Sequence, residues 1–266
     1  MLNTTTFAWP NFVIELKDYK MKTVLITGAN KGIGFETARQ LLQKDFKVFI
    51  GSRNIENGLD AVKKLNAEGF ANVEAIQLDV TDINSIQNAR EEIGVKTAVL
   101  DVLINNAGIN GGSAPYTVLE ATTDEYLNAL KTNVVGVANV TQVFIELLNN
   151  ASEPRIVNVS TSVGSLSLQS DPRWPSYNYA KYGVYAISKA ALNMYTIQLA
   201  YELRNTNFKV NAVCPGLTKT HFTFFNGGEV STAASRIIKY ALIDKNGPTG
   251  KFFSEETNPE NGEISW

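Results

Sequence analysis

The chain contains 266 residues, and its 44% hydrophobic and 19% charged content is typical of a globular protein. The net charge of −2 gives no electrostatic reason to expect nucleic acid or an anionic membrane as a partner. One cysteine, Cys214, and one histidine, His221, exclude an internal disulfide and a Cys/His metal cluster. No apolar run reaches the roughly 18–20 residues of a membrane span. We therefore expect a cytoplasmic protein without a metal, whose chemistry relies on tyrosine, lysine, carboxylates or a cofactor.

Residues 1–20 differ in composition from the rest of the chain. They are rich in threonine, asparagine and aromatic residues, and a compact apolar run begins only after Met21. We interpret them as a loosely ordered N-terminal extension. The alternatives are an additional edge strand at residues 12–16 and a segment that contacts a partner.

From Met21 onwards, short apolar runs alternate with longer amphipathic segments. The short runs are typical of buried strands and the longer segments of helices. This alternation predicts an α/β fold, a doubly wound parallel sheet of the Rossmann type with helices on both faces. No repeat or linker divides it, so residues 21–266 are predicted to form a single domain. The expected strands are residues 24–26, 48–50, 73–78, 99–104, 156–159, 210–213 and 252–253, and the expected helices are residues 32–44, 55–68, 82–94, 123–149, 182–205 and 229–243.

A glycine-rich loop follows the first predicted strand and leads directly into the first predicted helix. Its sequence over residues 27–34, TGANKGIG, spaces the glycines as GxxxGxG. Glycines here allow a sharp turn and a close approach of the backbone to a pyrophosphate, and the helix N-terminus attracts the phosphates. The loop therefore predicts a dinucleotide site, and the lack of a GK[ST] ending disfavours nucleotide hydrolysis. The expected contacts are Gly28, Asn30, Lys31, Gly32, Ile33 and Gly34.

The end of the second predicted strand indicates which dinucleotide binds. A carboxylate is expected there for NAD, because it would hold the ribose 2′-hydroxyl. The chain instead has Ser52 followed by Arg53, and Lys31 lies within the glycine loop. Two cations with no carboxylate between them suit a 2′-phosphate, which arginine can bind with two hydrogen bonds. The sequence therefore favours NADP(H), the alternative being two solvated surface cations.

Tyr185 and Lys189 are four residues apart in a predicted helix, so they share one helical face. An ammonium that close is expected to lower the pKa of a phenol, because it favours the phenolate, and so to make Tyr185 a usable proton donor to a carbonyl. Tyr177 and Lys181 have the same spacing. Tyr177 lies beside Pro175, in a stretch that favours a loop over a helix, so the sequence favours the first pair.

These motifs, in this order, resemble the short-chain dehydrogenase/reductase family, and particularly its carbonyl-reductase-like members. The resemblance implies the doubly wound fold and reversible hydride transfer between a nicotinamide cofactor and a carbonyl or alcohol. The distance from Tyr185 to Pro215 is close to the family spacing, whereas the distance from Tyr177 is longer. The motifs that carry the resemblance are residues 27–34, 78–80, 105–108, Asn133, 156–161, 185–189 and 215–216.

The resemblance implies four catalytic residues. Tyr185 would donate the proton, and Lys189 would lower the pKa of the tyrosine and hold the cofactor ribose. Asn133 would distort its helix and hold a water that leads to the lysine. The family serine that hydrogen-bonds the substrate carbonyl corresponds to Thr161 here. Ser162 would take that role if the loop were shifted by one residue.

The resemblance also implies cofactor contacts beyond the glycine loop. The aspartate matching Asp79 lies against the adenine in the family, and its neighbour Val80 lines that pocket. The turn after the sixth strand meets the nicotinamide, and Thr220 touches the carboxamide or the phosphates. The further expected contacts are Arg53, Asp79, Val80, Asn106, Ala107, Gly108, Tyr185, Lys189, Pro215, Gly216, Thr218 and Thr220.

The sequence as a whole predicts an NADPH-dependent reductase of ketones or aldehydes. A non-catalytic regulatory protein that binds NADP(H) is the alternative, and a sugar epimerase or dehydratase is disfavoured by the short region after Pro215. The aromatic residues within 166–182 either line an apolar substrate pocket or pack that loop onto the surface, and residues 221–229 resemble a substrate lid. The expected partners are a small carbonyl or alcohol substrate and further copies of the chain, paired through residues 123–149 and 182–205 as a homodimer or homotetramer.

Overall fold

The computed structural model describes residues 21–266, so the expectations for residues 1–20 lie outside the described residues. In the described chain, seven strands form one sheet in the order β3-β2-β1-β4-β5-β6-β7, and every pair of neighbours is parallel. The strand order reverses between β1 and β4, which opens a crevice at the carboxyl edge of the sheet. The strands are β1 (Thr23–Thr27), β2 (Lys47–Ser52), β3 (Val73–Gln77), β4 (Val102–Asn105), β5 (Arg155–Val159), β6 (Lys209–Val213) and β7 (Phe252–Phe253).

Helices connect these strands and cover both faces of the sheet, as the sequence predicts. Within residues 21–266, none of the helices is long and apolar enough to cross a membrane. The α-helices are α1 (Gly32–Leu42), α2 (Ile55–Ala67), α3 (Ile83–Lys96), α4 (Thr123–Leu130), α5 (Gly136–Asn149), α6 (Leu166–Ser170), α7 (Gly183–Glu202) and α8 (Val230–Ala241).

The two faces of the sheet carry two separate apolar cores, because successive side chains of a strand point to opposite faces. Val24 and Ile26 of β1 pack in one core with side chains of α1, α2 and α8. Leu25 points the other way and packs with side chains of α3 and α5, including the fully buried Phe144. Burial on both faces explains why the strands read as continuous apolar runs, and it confirms the doubly wound fold.

The predicted helix at residues 123–149 is interrupted. After α4, which a capping box between Thr122 and Glu125 begins, five residues (Lys131–Val135) form a π-helical turn before α5. Asn133 lies in this turn and is fully buried, with its side chain hydrogen-bonded outside its own helix. Such turns accommodate an extra residue within a helix and are frequent at functional sites.

Candidate active site

The glycine loop between β1 and α1 has the backbone geometry that its sequence predicts. Gly28 and Gly32 have φ values of 64° and 59°, in the left-handed region where side chains are rarely found. A Cβ atom on Gly34 would lie 2.6 Å from Asn106 Nδ2 and 2.9 Å from the backbone of Ala29. In the part of the chain that the structure describes, no side chain caps the N-terminus of α1, and the first turn of α1 has no acidic residue. The backbone N–H groups of the first turn of α1 are therefore available to bind phosphate oxygens.

The loop after β4 forms a second wall against the glycine loop. The backbone N–H groups of Asn106 and Ala107 both donate to Thr27 Oγ1, each at 3.0 Å. The Asn106 side chain donates to the carbonyls of Thr27 at 2.8 Å and Gly28 at 3.1 Å. A Cβ atom on Gly28 would lie 3.0 Å from Ala107 Cα. The two loops are thus held in direct contact, and this close approach favours a glycine at position 28.

Gly108, Asn133 and Lys189 converge at the end of this wall. A Cβ atom on Gly108 would lie 3.2 Å from Asn133 Oδ1 and 3.6 Å from Lys189 Nζ. Asn133 accepts a hydrogen bond from the Ile109 N–H at 2.9 Å, and it donates to the Ile109 carbonyl at 2.8 Å and to Ser188 Oγ at 2.9 Å. The π turn therefore joins the loop after β4 to helix α7, which carries Tyr185 and Lys189.

Lys189 lies within α7, and its ammonium is bound by backbone. Its Nζ donates to the carbonyl of Val159, the last residue of β5, at 2.7 Å and lies 5.8 Å from the centroid of the Tyr185 ring. Burial lowers the pKa of Lys189 to about 8 and raises the pKa of Tyr185, and the nearby Cys214 adds to the rise for the phenol. The expectation of a lowered phenol pKa is therefore wrong for this structure, because burial of the phenol raises its pKa and the ammonium of Lys189 is bound to the Val159 carbonyl.

The hydroxyl groups after β5 have distinct environments. Thr161 is half-buried, and within residues 21–266 its Oγ1 accepts only a long hydrogen bond, from the Val163 N–H at 3.3 Å. Ser162 is buried, with its Oγ 3.8 Å from the Cys214 thiol. Ser160 is buried as well and donates to Asn193 Oδ1 at 2.6 Å. Of the three, Thr161 has the hydroxyl best able to meet a ligand.

The alternative pair, Tyr177 and Lys181, does not lie on a helix. Both residues belong to the turns between α6 and α7, and Lys181 Nζ lies 3.8 Å from the centroid of the Tyr177 ring. Lys181 also donates to the backbone and side-chain oxygens of Gln169, at 3.1 and 2.9 Å. This pair is occupied with contacts inside the segment of residues 166–182, so the structure separates it from the site around Lys189.

Arg53, a cation rather than a carboxylate, follows β2 directly, and a second cation, Lys31, lies in the glycine loop. Ser52 is buried and donates to the Asn54 carbonyl at 2.7 Å, whereas Arg53 and Lys31 are both exposed. Within residues 21–266, neither Arg53 nor Lys31 takes part in an ion pair. Beyond β3, Asp79 accepts hydrogen bonds from the backbone and side chain of Thr81, at 2.9 and 2.8 Å.

The side chain of Asp79 is thus fixed by its own turn. Its neighbour Val80 is buried, and a Cβ atom on Gly136 would lie 2.7 Å from the Val80 carbonyl. Val80 therefore packs against the start of α5, and its predicted contact with an adenine ring stays a prediction. Asn30 and Ile33 lie in the glycine loop at the entrance to α1, Asn30 just before Lys31 and Ile33 within the first turn.

The turn after β6 places two predicted threonines differently. Thr220 faces the glycine loop, since a Cβ atom on Gly32 would lie 3.5 Å from Thr220 Cγ2. Thr218 is buried and donates to the carbonyl of Gly216 at 3.0 Å, so it holds the turn rather than facing the loop. Gly216 has a φ of 87°, and the Pro215 carbonyl accepts a hydrogen bond from Arg236 at 2.8 Å.

One aromatic contact at the site, between Phe222 and Tyr185, does not follow from the sequence. Phe222 lies in the short 3-10 turn His221–Thr223, and its ring centroid is 5.4 Å from that of Tyr185 at an interplanar angle of 54°. His221 packs edge-on against Phe225 and not against Tyr185. The run of aromatic residues in the lid was visible in the sequence, but which ring reaches the tyrosine depends on the fold of the lid.

Comparison with known proteins gives this geometry a family. The family described as short chain dehydrogenase matches residues 22–226. The chain belongs to the short-chain dehydrogenase family. Salutaridine reductase of Papaver bracteatum is 32% identical, over 88% of this chain and 94% of that protein. The (+)-neomenthol dehydrogenase of Arabidopsis thaliana is 34% identical, over 87% of this chain and 95% of that protein.

Solved structures of short-chain dehydrogenases agree in fold. The structure of salutaridine reductase from Papaver somniferum has a TM-score of 0.77 and 31% identity, covering 88% of this chain and 99% of that chain. The NADPH-bound carbonyl reductase from chicken fatty liver has a TM-score of 0.78 and 26% identity, and the match covers 93% of this chain and 100% of that chain. The predicted family resemblance is confirmed, and the chain is an oxidoreductase rather than a non-catalytic binding protein.

Proposed function

We propose that this short-chain dehydrogenase reduces ketone or aldehyde carbonyls with NADPH, using Tyr185 as the proton donor. The observation that carries the proposal is the position of Lys189. The Nζ of Lys189 is hydrogen-bonded to the carbonyl of Val159 at the end of β5 and lies beside Gly108 and Asn133. Lys189 follows Tyr185 by one turn of α7. A buried cation beside a tyrosine, at the crevice where the strand order reverses, suits a cofactor ribose and a reacting carbonyl.

The residues around the crevice fit NADP(H). Gly34 has no room for a Cβ atom, and α1 has an uncapped N-terminus for the pyrophosphate. Exposed Arg53 and Lys31, without an acidic residue at the end of β2, would bind a 2′-phosphate. When bound, the cofactor supplies the hydride. Asn106, Gly108 and the turn at Pro215–Thr220 would line the remaining length of the dinucleotide.

The residues of the protein would supply the proton for the reduction and would orient the groups that react. Burial raises the pKa of Tyr185, so the phenol keeps its proton at neutral pH and can donate it to the developing alkoxide. Thr161 Oγ1 would orient the carbonyl oxygen. Lys189 supplies a positive charge that stabilises the phenolate left behind. Asn133 fixes the backbone beside the lysine and supports the return of a proton.

The lid favours apolar carbonyl compounds as substrates. Phe222, which packs against Tyr185, is exposed, as are Leu217 and Phe224 nearby in the chain. Exposed aromatic side chains beside a reacting group provide an apolar surface for a ligand. A related protein from Mentha piperita, 32% identical over 87% of this chain, is named (-)-isopiperitenone reductase.

The proposed function is tested by mixing the protein with NADPH and a panel of cyclic, linear and aromatic ketones and aldehydes. Oxidation of NADPH is followed by the loss of nicotinamide absorbance, and the alcohol product is identified by mass. We expect turnover with at least one apolar carbonyl and slower turnover with NADH. Tight binding of NADPH without oxidation across the whole panel would contradict the proposal.

We further propose that residues 21–266 act as one catalytic domain in the cytoplasm and assemble as a homodimer or homotetramer. The single sheet supports the first point, and the one free cysteine, Cys214, suits a reducing compartment. Exposed apolar side chains on the helices expected to pair, Leu127, Ile187 and Met194, support the assembly. Light scattering of the purified protein measures its mass, and a monomer at micromolar concentration would contradict this assembly.

A further inference from the structure

Gln169 connects the two elements that carry the proposed hydroxyl and the proposed proton donor. Its Nε2 donates to the carbonyl of Val163 at 3.1 Å and to the carbonyl of Ala180 at 2.7 Å. Val163 lies two residues after Thr161, in the 3-10 turn that follows β5. Ala180 is buried and lies five residues before Tyr185, at the entrance to α7. One side-chain amide thus joins the turn of Thr161 to the start of the helix of Tyr185.

Lys181 fixes the orientation of this amide. Its Nζ donates to Gln169 Oε1 at 2.9 Å and to the Gln169 carbonyl at 3.1 Å. With the amide oxygen facing the ammonium, the two N–H donors must face the two carbonyls. The opposite orientation would place donor against donor and oxygen against oxygen. The ring of Tyr177, 3.8 Å from Lys181 Nζ, holds the ammonium from the other side.

Helix α6, which carries Gln169, is itself held by the end of the described chain. The Ser167 backbone and hydroxyl donate to the Trp266 carbonyl at 3.0 and 2.8 Å. Ser165 Oγ donates to the Ser265 carbonyl at 2.7 Å. The Trp266 ring stacks on Phe252 of β7 at a centroid distance of 5.3 Å. A five-residue helix with these contacts is a fixed support from which Gln169 can act.

We propose that Gln169, oriented by Lys181, is a positioning residue that sets the Thr161 hydroxyl against the Tyr185 phenol. The inference rests on the proposed function, since it concerns how those two groups meet one carbonyl oxygen. It also gives the second tyrosine–lysine pair a role. Tyr177 and Lys181 do no proton chemistry, but they hold the amide that aligns the groups that do.

The test is Gln169→Met, which keeps the length of the side chain and removes both N–H donors. We expect kcat to fall by about 10- to 100-fold, as small misplacements of reacting groups do. The NADPH dissociation constant should stay unchanged, because the Gln169 side chain hydrogen-bonds to Val163, Ala180 and Lys181 rather than to the glycine loop or the loop after β4 in the described part of the chain. Lys181→Met should give a smaller loss of kcat in the same direction.

Coupling to Thr161 separates positioning from a general loss of structure. In a Thr161→Val background the hydroxyl is gone, so Gln169→Met should cost far less kcat there than in the wild type. A structural defect alone would cost the same in both backgrounds. The matched control is Ser170→Ala, because among the described residues this hydroxyl bonds only to the Leu166 and Ser167 carbonyls within α6. Its kcat should equal that of the wild type.

The outcomes distinguish this inference from the proposed function. Wild-type turnover together with an unaffected Gln169→Met variant would overturn the inference alone. Equal losses of kcat in the two Thr161 backgrounds, or a parallel loss of NADPH affinity, would also overturn it and assign Gln169 a structural role. A wild-type protein that turns over no carbonyl would overturn the proposed function, and this inference with it.

Discussion

Lys189 Nζ donates to the Val159 carbonyl at 2.7 Å, so the lysine of α7 is tied to the last residue of strand β5. This contact fixes the helix of Tyr185 to the strand whose following turn carries Thr161. The same ammonium lies 5.8 Å from the centroid of the Tyr185 ring. Burial raises the pKa of Tyr185 and lowers the pKa of Lys189, so desolvation sets the direction of both shifts.

Removal of the Tyr185 hydroxyl is expected to lower kcat strongly and to leave cofactor binding intact. Tyr185→Phe keeps the ring that packs on Phe222 and removes only the proposed proton donor. General acid catalysis contributes about 10²- to 10⁴-fold, and kcat should fall by that amount. NADPH affinity, measured by fluorescence titration, should not change.

The control for this prediction is Tyr177→Phe. It removes the hydroxyl of the other tyrosine–lysine pair and leaves the ring beside Lys181 in place. Its kcat should match that of the wild type. Full turnover by Tyr185→Phe, or a larger loss in Tyr177→Phe, would refute the assignment of the proton donor.

Arg53 is expected to determine the preference for NADPH over NADH. Arg53→Ala removes an exposed guanidinium at the end of β2 that has no ion-pair partner in the described part of the chain. A hydrogen bond to a charged group contributes about 1.5–3 kcal/mol, so the NADPH dissociation constant should rise about 10- to 100-fold. NADH, which lacks the 2′-phosphate, serves as the internal control and should bind as before. Equal weakening for both cofactors would place Arg53 outside the phosphate site.

Carbonyl reduction is expected to decline as the pH rises through about 8. Burial lowers the pKa of Lys189 to about 8, so its ammonium is present below that pH and is lost above it. The raised pKa of Tyr185 keeps the phenol protonated over the same range, so the decline reports the lysine. Profiles of kcat/KM between pH 6 and about 10 measure it. In Lys189→Arg the side chain stays charged over the whole pH range, so this variant should lack the alkaline decline, whatever its absolute rate. If the kcat/KM of Lys189→Arg still fell near pH 8, the lysine would be excluded as the source of the decline.

The substitution Gly34→Ala, which adds a Cβ atom, is expected both to destabilise the protein and to weaken NADPH binding. In Gly34→Ala the new atom would lie 2.9 Å from both Ala29 Cα and the Gly28 carbonyl, which are backbone atoms that cannot turn away. Overpacking of this kind costs about 1–3 kcal/mol of unfolding free energy. Urea denaturation and NADPH titration measure the two effects.

The matched control is Gly94→Ala in α3. There the Cβ atom would meet only the flexible end of Arg90, at 3.2 Å. Replacing a helical glycine by alanine should stabilise the protein by about 0.5–1 kcal/mol and leave NADPH binding alone. Similar behaviour of the two variants would show that the glycine loop is less closely packed than the distances indicate.

The sequence determined the fold class and the backbone of the site. Apolar runs buried on both faces of a sheet must alternate with amphipathic helices, which is why the strands and helices lie close to their predicted bounds. The glycine loop was equally predictable, because a left-handed φ and the close approach of Ala107 both favour glycine at position 28. The spacing of Tyr185 and Lys189 identified the helix on which the proposed chemistry lies.

Only the tertiary structure decided how these residues meet. It separated Thr161 from the buried Ser162, turned Thr218 inward and Thr220 toward the glycine loop, and brought Phe222 onto Tyr185. It also reversed the expected direction of the shift in the phenol pKa. Spacing along a helix determines which side chains are neighbours. Desolvation of those side chains depends on every element packed around them, and a local sequence pattern does not show how those elements pack.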